Sequence, residues 1–545
     1  MHTLEEPNVT LILALLVASA IVAGVVRFIR IPYTVALVLV GLALALLPNV
    51  PAVELTPGVI LTVFLPVLLF YGAYNLDLRD LRANLTPIAL LALPGVVLTA
   101  GLVGAAMHWL AGFSWTDGLL LGTIVAATDP VAVLAIFREV GAPRRLATIV
   151  TGESLFNDGT ALVLYGTVLT IALGQAVSPA ITLEQFMLNV AGGLALGITV
   201  GVVGSTLLSR IDDALLETTI TLIMAYGGFL LAEQLGVSGP LETVAAGIFL
   251  GVSGRRVMSP TTRLQGGATW EFIDFLANSL LFLLVGLELR PVAQVTFREL
   301  GAGVIVPLVV LLVAVILARG IVVAAVARIL TWPSIVRRTR RTLIARLPAS
   351  WQLVLVWAGL RGAVSLAAAL SLPTVLPARN LLITLTFGVV LFTLVAQGFT
   401  TRQLLSRLGL ANEQDGEADV QRSLGRLQAL DAGIHEVGTL QRAGALADPV
   451  AETLRQRYAN RREQIHAELE ALYREKPEIA DAHTREALRQ VLHTEREAVR
   501  DLAAKGQISA DTLDDLIKEI DDELEGLAGV VVEKGSISSD SKSAR

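Results

Sequence analysis

The chain contains no cysteine, which excludes a disulfide framework, thiol catalysis and zinc–thiolate sites. Lysine is absent until Lys476, so every fixed positive side chain before it is an arginine. His2 and His108 are the only histidines ahead of residue 411. With no His-Glu-x-x-His pair and no Gly-x-x-x-x-Gly-Lys-Ser/Thr loop, neither a zinc hydrolase nor an ATP-driven pump is indicated. Charge of either sign is scarce, 17% of 545 residues against about 25% in soluble domains. What fills its place is apolar: 54% of the residues are hydrophobic and the mean hydropathy is +0.67, as in a polytopic membrane protein.

The charges are unevenly divided. Up to Leu410 there are 24 arginines and 20 acids, a net +4; beyond it the balance is 18 basic to 28 acidic, a net −10. This shift marks a domain boundary. Apolar runs long enough to cross a bilayer about 30 Å thick are expected near 10–29, 32–48, 57–76, 85–107, 115–137, 146–172, 184–208, 215–235, 239–253, 267–289, 300–328, 350–371 and 379–404. The first is preceded by Glu5 and Glu6 rather than by basic residues and is too long for a signal-peptide core, so it is expected to be a retained span. The expected fold is therefore all-α and polytopic: about 13 transmembrane helices over 1–410, a cytoplasmic α-helical domain over 411–532 that is a candidate for regulation, and a disordered tail over 533–545.

Basic residues in short loops stay on the cytoplasmic side. With the N-terminus outside, 19 loop arginines fall inside, among them Arg79, Arg138, Arg210 and the six from Arg328 to Arg346, against Arg290, Arg298 and Arg379 outside. This predicts a multi-pass protein of the cell (plasma or inner) membrane with its C-terminal domain in the cytoplasm. Such an orientation requires an odd number of spans, which supports keeping the short run at 239–253 as the ninth.

Charge inside the spans is the next signal. An ionised side chain at the centre of a membrane helix costs about 2.5 kcal/mol or more, yet Asp129, Glu153, Asp158, Arg319 and Arg361 all lie within apolar runs. The run Thr151-Gly-Glu-Ser-Leu-Phe-Asn-Asp-Gly159 leads directly into an apolar stretch. If it is helical, Ser154 and Asp158 share one face and Glu153 and Asn157 the next. Pro130 interrupts the fifth run and frees a carbonyl one turn earlier; Gly359-Leu-Arg-Gly362 interrupts the twelfth. If runs 1–6 and 8–13 are inverted halves joined by run 7, these breaks occupy matching positions, the sequence pointer to a transporter's substrate site.

A dehydrated Na+ requires hard oxygen ligands. Asp158, the Ser154 hydroxyl and a carbonyl released near Thr128 supply the right kind, and the same carboxylate takes a proton instead. One acid that binds either ion, but not both, suffices for antiport. Asp158 could alternatively be a buried acid paired with arginine for packing, and Asp129-Pro130 a capped kink. Glu153 is expected in a salt bridge with Arg319 or Arg361; Arg361 could equally balance two facing helix ends. Glu233, Glu242, Glu271, Asp274 and Glu288 read as solvated positions at helix ends, with Glu271 and Asp274 alternatively lining an entry funnel. Gly227-Gly228 suits a helix-packing face. The net −10 tail is unsuited to anionic lipid or nucleic acid; an unidentified ligand, autoinhibition and dimerisation remain open for it.

Ala127-Thr-Asp-Pro-Val-Ala-Val133, Gly152-Glu-Ser-Leu-Phe-Asn-Asp-Gly159, Ala318-Arg319 and Gly359-Leu-Arg-Gly-Ala-Val364 together resemble the motifs of monovalent cation:proton antiporters of the NhaP/NHE type, over about Val9 to Leu410. The resemblance implies inverted six-helix repeats with crossed unwound helices and a homodimer in the bilayer. Asp158 would bind cation or proton, Na+ being held with Ser154 and Thr128, and Asn157 and Asp129 would belong to the same site. Glu153 and Arg319 would form a structural ion pair, with Arg361 at the helix crossing. Asn157 in place of a second aspartate resembles the electroneutral branch. The substrates would be monovalent cations, Na+ or else Li+ or K+, and protons, with no cofactor and no enzymatic chemistry. A K+/H+ antiporter uses the same ligands, and a cation channel with a regulatory tail is the alternative of another class.

Overall fold

The computed structural model describes residues 6–29, 32–47, 56–175, 179–295, 301–331, 347–411, 413–475, 477–505, 507–509 and 511–523. Arg30, Arg298, the arginines from Arg337 to Arg346 and the expected tail 533–545 lie outside the described residues. The chain divides into two compact units, Met1–Ala411 and Asn412–Arg545.

In the first unit the helices follow one another along the expected apolar runs. They are α1 (Glu6–Ile29), α2 (Tyr33–Ala45), α3 (Pro57–Tyr74), the short α4 (Leu78–Ala83), α5 (Leu85–Ala111), α6 (Trp115–Ile124), α7 (Val131–Val140), α8 (Arg144–Ala172), α9 (Pro179–Leu208), α10 (Ala214–Gln234), α11 (Gly239–Val257) and α12 (Pro260–Val295). Then come α13 (Ile305–Leu330), α14 (Ala349–Trp357), α15 (Ala363–Leu370) and α16 (Arg379–Arg407). Among the described residues eight helices are long and apolar enough to cross a membrane: α3, α5, α8, α9, α10, α12, α13 and α16. The fifth and twelfth runs are not continuous helices. They are the pairs α6/α7 and α14/α15, whose halves are separated by residues 125–130 and 358–362.

Local chemistry explains the boundaries. Ser114 caps α6 through the Asp117 N–H, Asp213 caps α10 through those of Leu215 and Leu216, and Ser238 caps α11 through that of Leu241, each supplying an acceptor for a donor that the first turn leaves free. Gly112 and Gly141 end α5 and α7 with φ of 74° and 66°, the left-handed conformation that glycine adopts without steric cost. Pro94 kinks α5 after Leu93. Two π turns, Ile60–Phe64 in α3 and Thr393–Gln397 in α16, each leave part of the backbone wider than a regular helix; such turns gather at functional sites.

Packing relies on small residues, since apolar burial alone drives no association between helices in lipid. Glycine brings backbones together at several crossings. A Cβ on Gly286 of α12 would collide with the Val38 carbonyl of α2, and one on Gly41 of α2 with that of Leu283. Likewise Gly104 of α5 lies against the Leu119 backbone, while Gly118 and Gly122 of α6 lie against the carbonyls of Gly104 and Ala100. Gly228 of α10 is also a packing position, as its sequence suggested, though it faces a carboxylate, that of Glu242.

The second unit contains α17 (Glu413–Arg442), α18 (Asp448–Glu475), α19 (Pro477–Ala504) and a helix over 511–523. Ser509 caps that last helix through the Thr512 N–H at 3.2 Å. Val420, Leu427 and Leu430 of α17 pack with Ile465 and Leu469 of α18 in a small core of their own.

The α2–α12 crossing gives the first prediction. Gly286→Val places branched carbon where the Val38 backbone stands, and overpacking of this kind costs about 1–3 kcal/mol. The expected result is a lower thermal midpoint of the detergent-purified protein, with Gly267→Val, where the surroundings are open, near the parent value.

Candidate cation and proton site

The site forms where the two interrupted runs meet. The Asp129 N–H donates to the Leu360 carbonyl at 2.8 Å, joining one non-helical segment to the other. The Asp129 carboxylate accepts the N–H of Val131 at 2.9 Å and that of Ala363. These are the first residues of α7 and α15, so one carboxylate caps the N-termini of both half-helices, where negative charge is favoured. A Cβ on Gly362 would fall on this carboxylate, which explains a glycine there. On the other strand of the crossing, the Arg361 N–H donates to the Thr393 hydroxyl at 3.1 Å, inside the π turn of α16.

α8 runs past this crossing and delivers its polar face to it. Glu153, Ser154, Asn157 and Asp158 are all buried, as is Thr128. The hydroxyls of Thr128 and Ser154 are 3.1 Å apart. Asn157 donates its amide to the Thr128 hydroxyl at 3.1 Å and to the Ala126 carbonyl at 3.2 Å. Ala126 is four residues before Pro130, so this is the carbonyl that proline deprives of its helical donor. With its nitrogen engaged, Asn157 keeps a buried Oδ1 that no described residue satisfies. Asp158 is 8% exposed, and its carboxylate makes no hydrogen bond or ion pair with a described residue; the carboxylates of Asp129 and Glu153 are near enough to act on it electrostatically.

The remaining intramembrane charges are distributed unequally. Glu153 forms a two-pronged pair with Arg319 of α13, one prong being Nη2 to Oε2 at 2.6 Å; the Arg319 Nε also donates to the Leu355 carbonyl at 3.1 Å. Of the two arginines open to Glu153, the structure selects Arg319. Arg361 is 1% exposed, its Nε and Nη1 are unsatisfied by described residues, and it lies beside Gly359 together with Arg319.

The sequence-expected residues Thr128, Ser154, Asn157 and Asp158 are thus brought together, while Asp129 stands at the crossing with its carboxylate directed to backbone donors. The carbonyl that Pro130 was expected to free is that of Ala126, whereas Thr393 and the bond of Tyr165 to Ser371 at 2.8 Å were not anticipated. Tyr165 lies two turns beyond Asp158 and ties α8 to the end of α15. Glu242 requires correction: it is completely buried, not a solvated helix end. Its helix begins deep in the unit, because the Ser238 N–H donates to the Asn189 carbonyl of α9 at 3.2 Å. Asp274 is half-buried and Glu271 exposed.

Breaking the Glu153–Arg319 pair from one side strands a buried charge, which costs about 3–5 kcal/mol. Arg319→Leu alone should therefore lower thermal stability more than the double variant Glu153→Leu/Arg319→Leu, as read by fluorescence-detected size exclusion after heating; equal losses would show that the pair is not coupled.

The model of the sodium/hydrogen exchanger transmembrane family matches residues 12–407. The Na+/H+ antiporter ApNhaP of Aphanothece halophytica is 40% identical over 408 residues, 74% of this chain and 75% of that protein. The low-affinity Na+/H+ antiporter NhaS1 of Synechocystis is 35% identical over 485 residues, 88% and 89% of the two chains. Among solved structures the sodium proton antiporter MjNhaP1 of Methanocaldococcus jannaschii at pH 8 superposes with a TM-score of 0.60 at 20% identity, covering 74% of this chain and 98% of that one, a likeness of fold. The chain belongs to the sodium/hydrogen exchanger family of membrane proteins.

Proposed function

We propose that the chain is a secondary antiporter that exchanges Na+ for H+ across the cell membrane, one for one, with both ions competing for Asp158. The observation that carries this is a pair of oxygen-bearing groups left without hydrogen-bond partners among the described residues, the carboxylate of the buried Asp158 and the Asn157 Oδ1, beside the hydroxyls of Thr128 and Ser154. A desolvated carboxylate without a counter-ion is costly, so Asp158 is stable only when it holds a proton or a cation. With a proton it is neutral. With Na+, the carboxylate and the Thr128 and Ser154 oxygens replace the hydration shell, and Asn157 adds its carbonyl oxygen. Since either ion brings one charge to one acid, each half-cycle carries the same charge and exchange is electroneutral. The names of the relatives, Na+/H+ antiporters, support this substrate pair.

The other parts support the site. Asp129 and Arg361 hold the crossing of the unwound segments, and Glu153 with Arg319 fixes α8 against α13. The proposed architecture is thirteen spans in two inverted halves, N-terminus outside, second unit in the cytoplasm, with alternating exposure of Asp158 and a homodimer in the bilayer. The second unit is proposed as regulatory; its removal would alter the pH profile of exchange.

Purified protein in proteoliposomes tests this. An imposed Na+ gradient should move protons at a rate unchanged by clamping the membrane potential, and Asp158→Asn should abolish it. Thr128→Val should retain exchange with a KM for Na+ raised about tenfold, the effect of losing one ligand worth about 1.4 kcal/mol. Proton movement driven by K+ alone would make the chain a K+/H+ antiporter; a current without counter-transport would make it a channel.

A further inference from the structure

A further carboxylic acid, outside the transport site, lies at its level. Leu241 of α11 packs against Gly159, the neighbour of Asp158 at the middle of α8, and against Gly193 at the middle of α9. Glu242 follows directly. It is completely buried, set in the notch left by the missing side chain of Gly228 on α10. Its Oε2 accepts the Thr243 hydroxyl at 3.1 Å, and its Oε1 has no partner among the described residues.

Among the described residues no positive side chain is paired with it. The helices packed on α11 are α3, α8, α9 and α10. From α10, Glu233 is directed to the Gly239 N–H, and Tyr226 to the Val63 carbonyl. From α8, Asp158 stands beyond Leu241. α3 carries Tyr71 and Tyr74, and α9 the exposed Glu184; the cations of α8, Arg144 and Arg145 at its start, are directed to Asp80 and Asn84. Burial without a counter-charge leaves two stable states, protonated acid or cation complex. The oxygens recorded at Glu242 are its own two and one hydroxyl, too few to replace the shell of a small hard cation, for which about six are typical. A proton needs only one.

We propose that Glu242 is a second proton-binding site of the membrane unit, separate from Asp158, and that the proton it holds lowers the cation affinity of Asp158. When that proton leaves, a second negative charge stands at the same level, behind Leu241, and favours a cation over an empty site at Asp158. The effect on affinity rests on the assignment of Asp158 as the cation site. The existence of the proton does not.

Two measurements separate these claims. Infrared difference spectra of purified protein in lipid, titrated with base, should contain a C=O band of a protonated carboxylic acid that disappears in Glu242→Gln and is retained in Asp158→Asn. Saturating Na+ should leave this band in place and remove the one that is lost in Asp158→Asn. No protonated-acid band assignable to Glu242 at any pH, or one removed by Na+ in Asp158→Asn as in the parent, would overturn the proton site. In proteoliposomes, Glu242→Gln, neutral at every pH, should leave exchange active but with a KM for Na+ several-fold above the parent at alkaline pH and equal to it at acidic pH. Equal KM values throughout would overturn the coupling to Asp158 while leaving the infrared result to stand. Should Glu242→Gln not fold, Gly228→Ala, which presses on the same carboxylate, serves in both measurements, with the Glu242 band expected to shift in frequency.

Discussion

Every backbone N–H and carbonyl inside a membrane protein needs a partner, and the rest of this structure follows from how that requirement is met where two helices stop. The gaps at 125–130 and 358–362 satisfy one another: Asp129 N–H to the Leu360 carbonyl, Asp129 carboxylate to the first N–H groups of α7 and α15, Thr393 to the Arg361 N–H, Asn157 to the carbonyl that Pro130 left free. Interrupting a helix there provides polar groups at a depth where a continuous helix would offer none. Once Asn157 and Asp129 are engaged in this repair, Asp158 is the acid beside the crossing that remains for an ion.

The division of labour among four of these charges reflects cost. Glu153 and Arg319 neutralise each other through a two-pronged contact, the geometry to which a guanidinium is suited, and so can be buried permanently. Asp129 is offset by two helix N-termini, whose partial charges together amount to about one unit. Asp158 has no such fixed compensation. A group compensated by the protein has no need of an ion, whereas one left uncompensated acquires an ion as part of its stable state.

Much of this was legible in the sequence because charge in an apolar run is conspicuous. Asp129, Glu153, Asp158, Arg319 and Arg361 could be picked out by their cost alone, and the 3.6-residue repeat placed Ser154 and Asp158 on one face. The choice of Arg319 over Arg361 as partner of Glu153 depends on the approach of α13 to α8, which no local pattern encodes. The capping of two half-helices by Asp129 likewise joins residues more than 200 positions apart. Glu242 was misjudged for a related reason. Three residues from a helix start suggests an interface, but α11 starts in the interior, held there by Asn189 of α9. The shortness of the 239–253 run was the available sign, because a helix that begins halfway needs fewer residues to reach the far side.

The glycine contacts between α5 and α6 have a mechanical consequence. At Gly118 and Gly122 the two helices meet backbone to backbone, and at Gly104 the backbone and side chain of Leu119 close the gap, so little between them can yield to absorb a displacement. α6 and α5 must move as one stiff beam. Compliance is left to the segment between Val125 and Pro130, which works as a flexure anchored at one end to that beam and at the other to α7. The atoms on this side of the proposed ion site, the Ala126 carbonyl and the Thr128 hydroxyl, are therefore carried by the non-helical segment itself, so that a tilt of α7 relative to α5 would change the spacing of the site's oxygens.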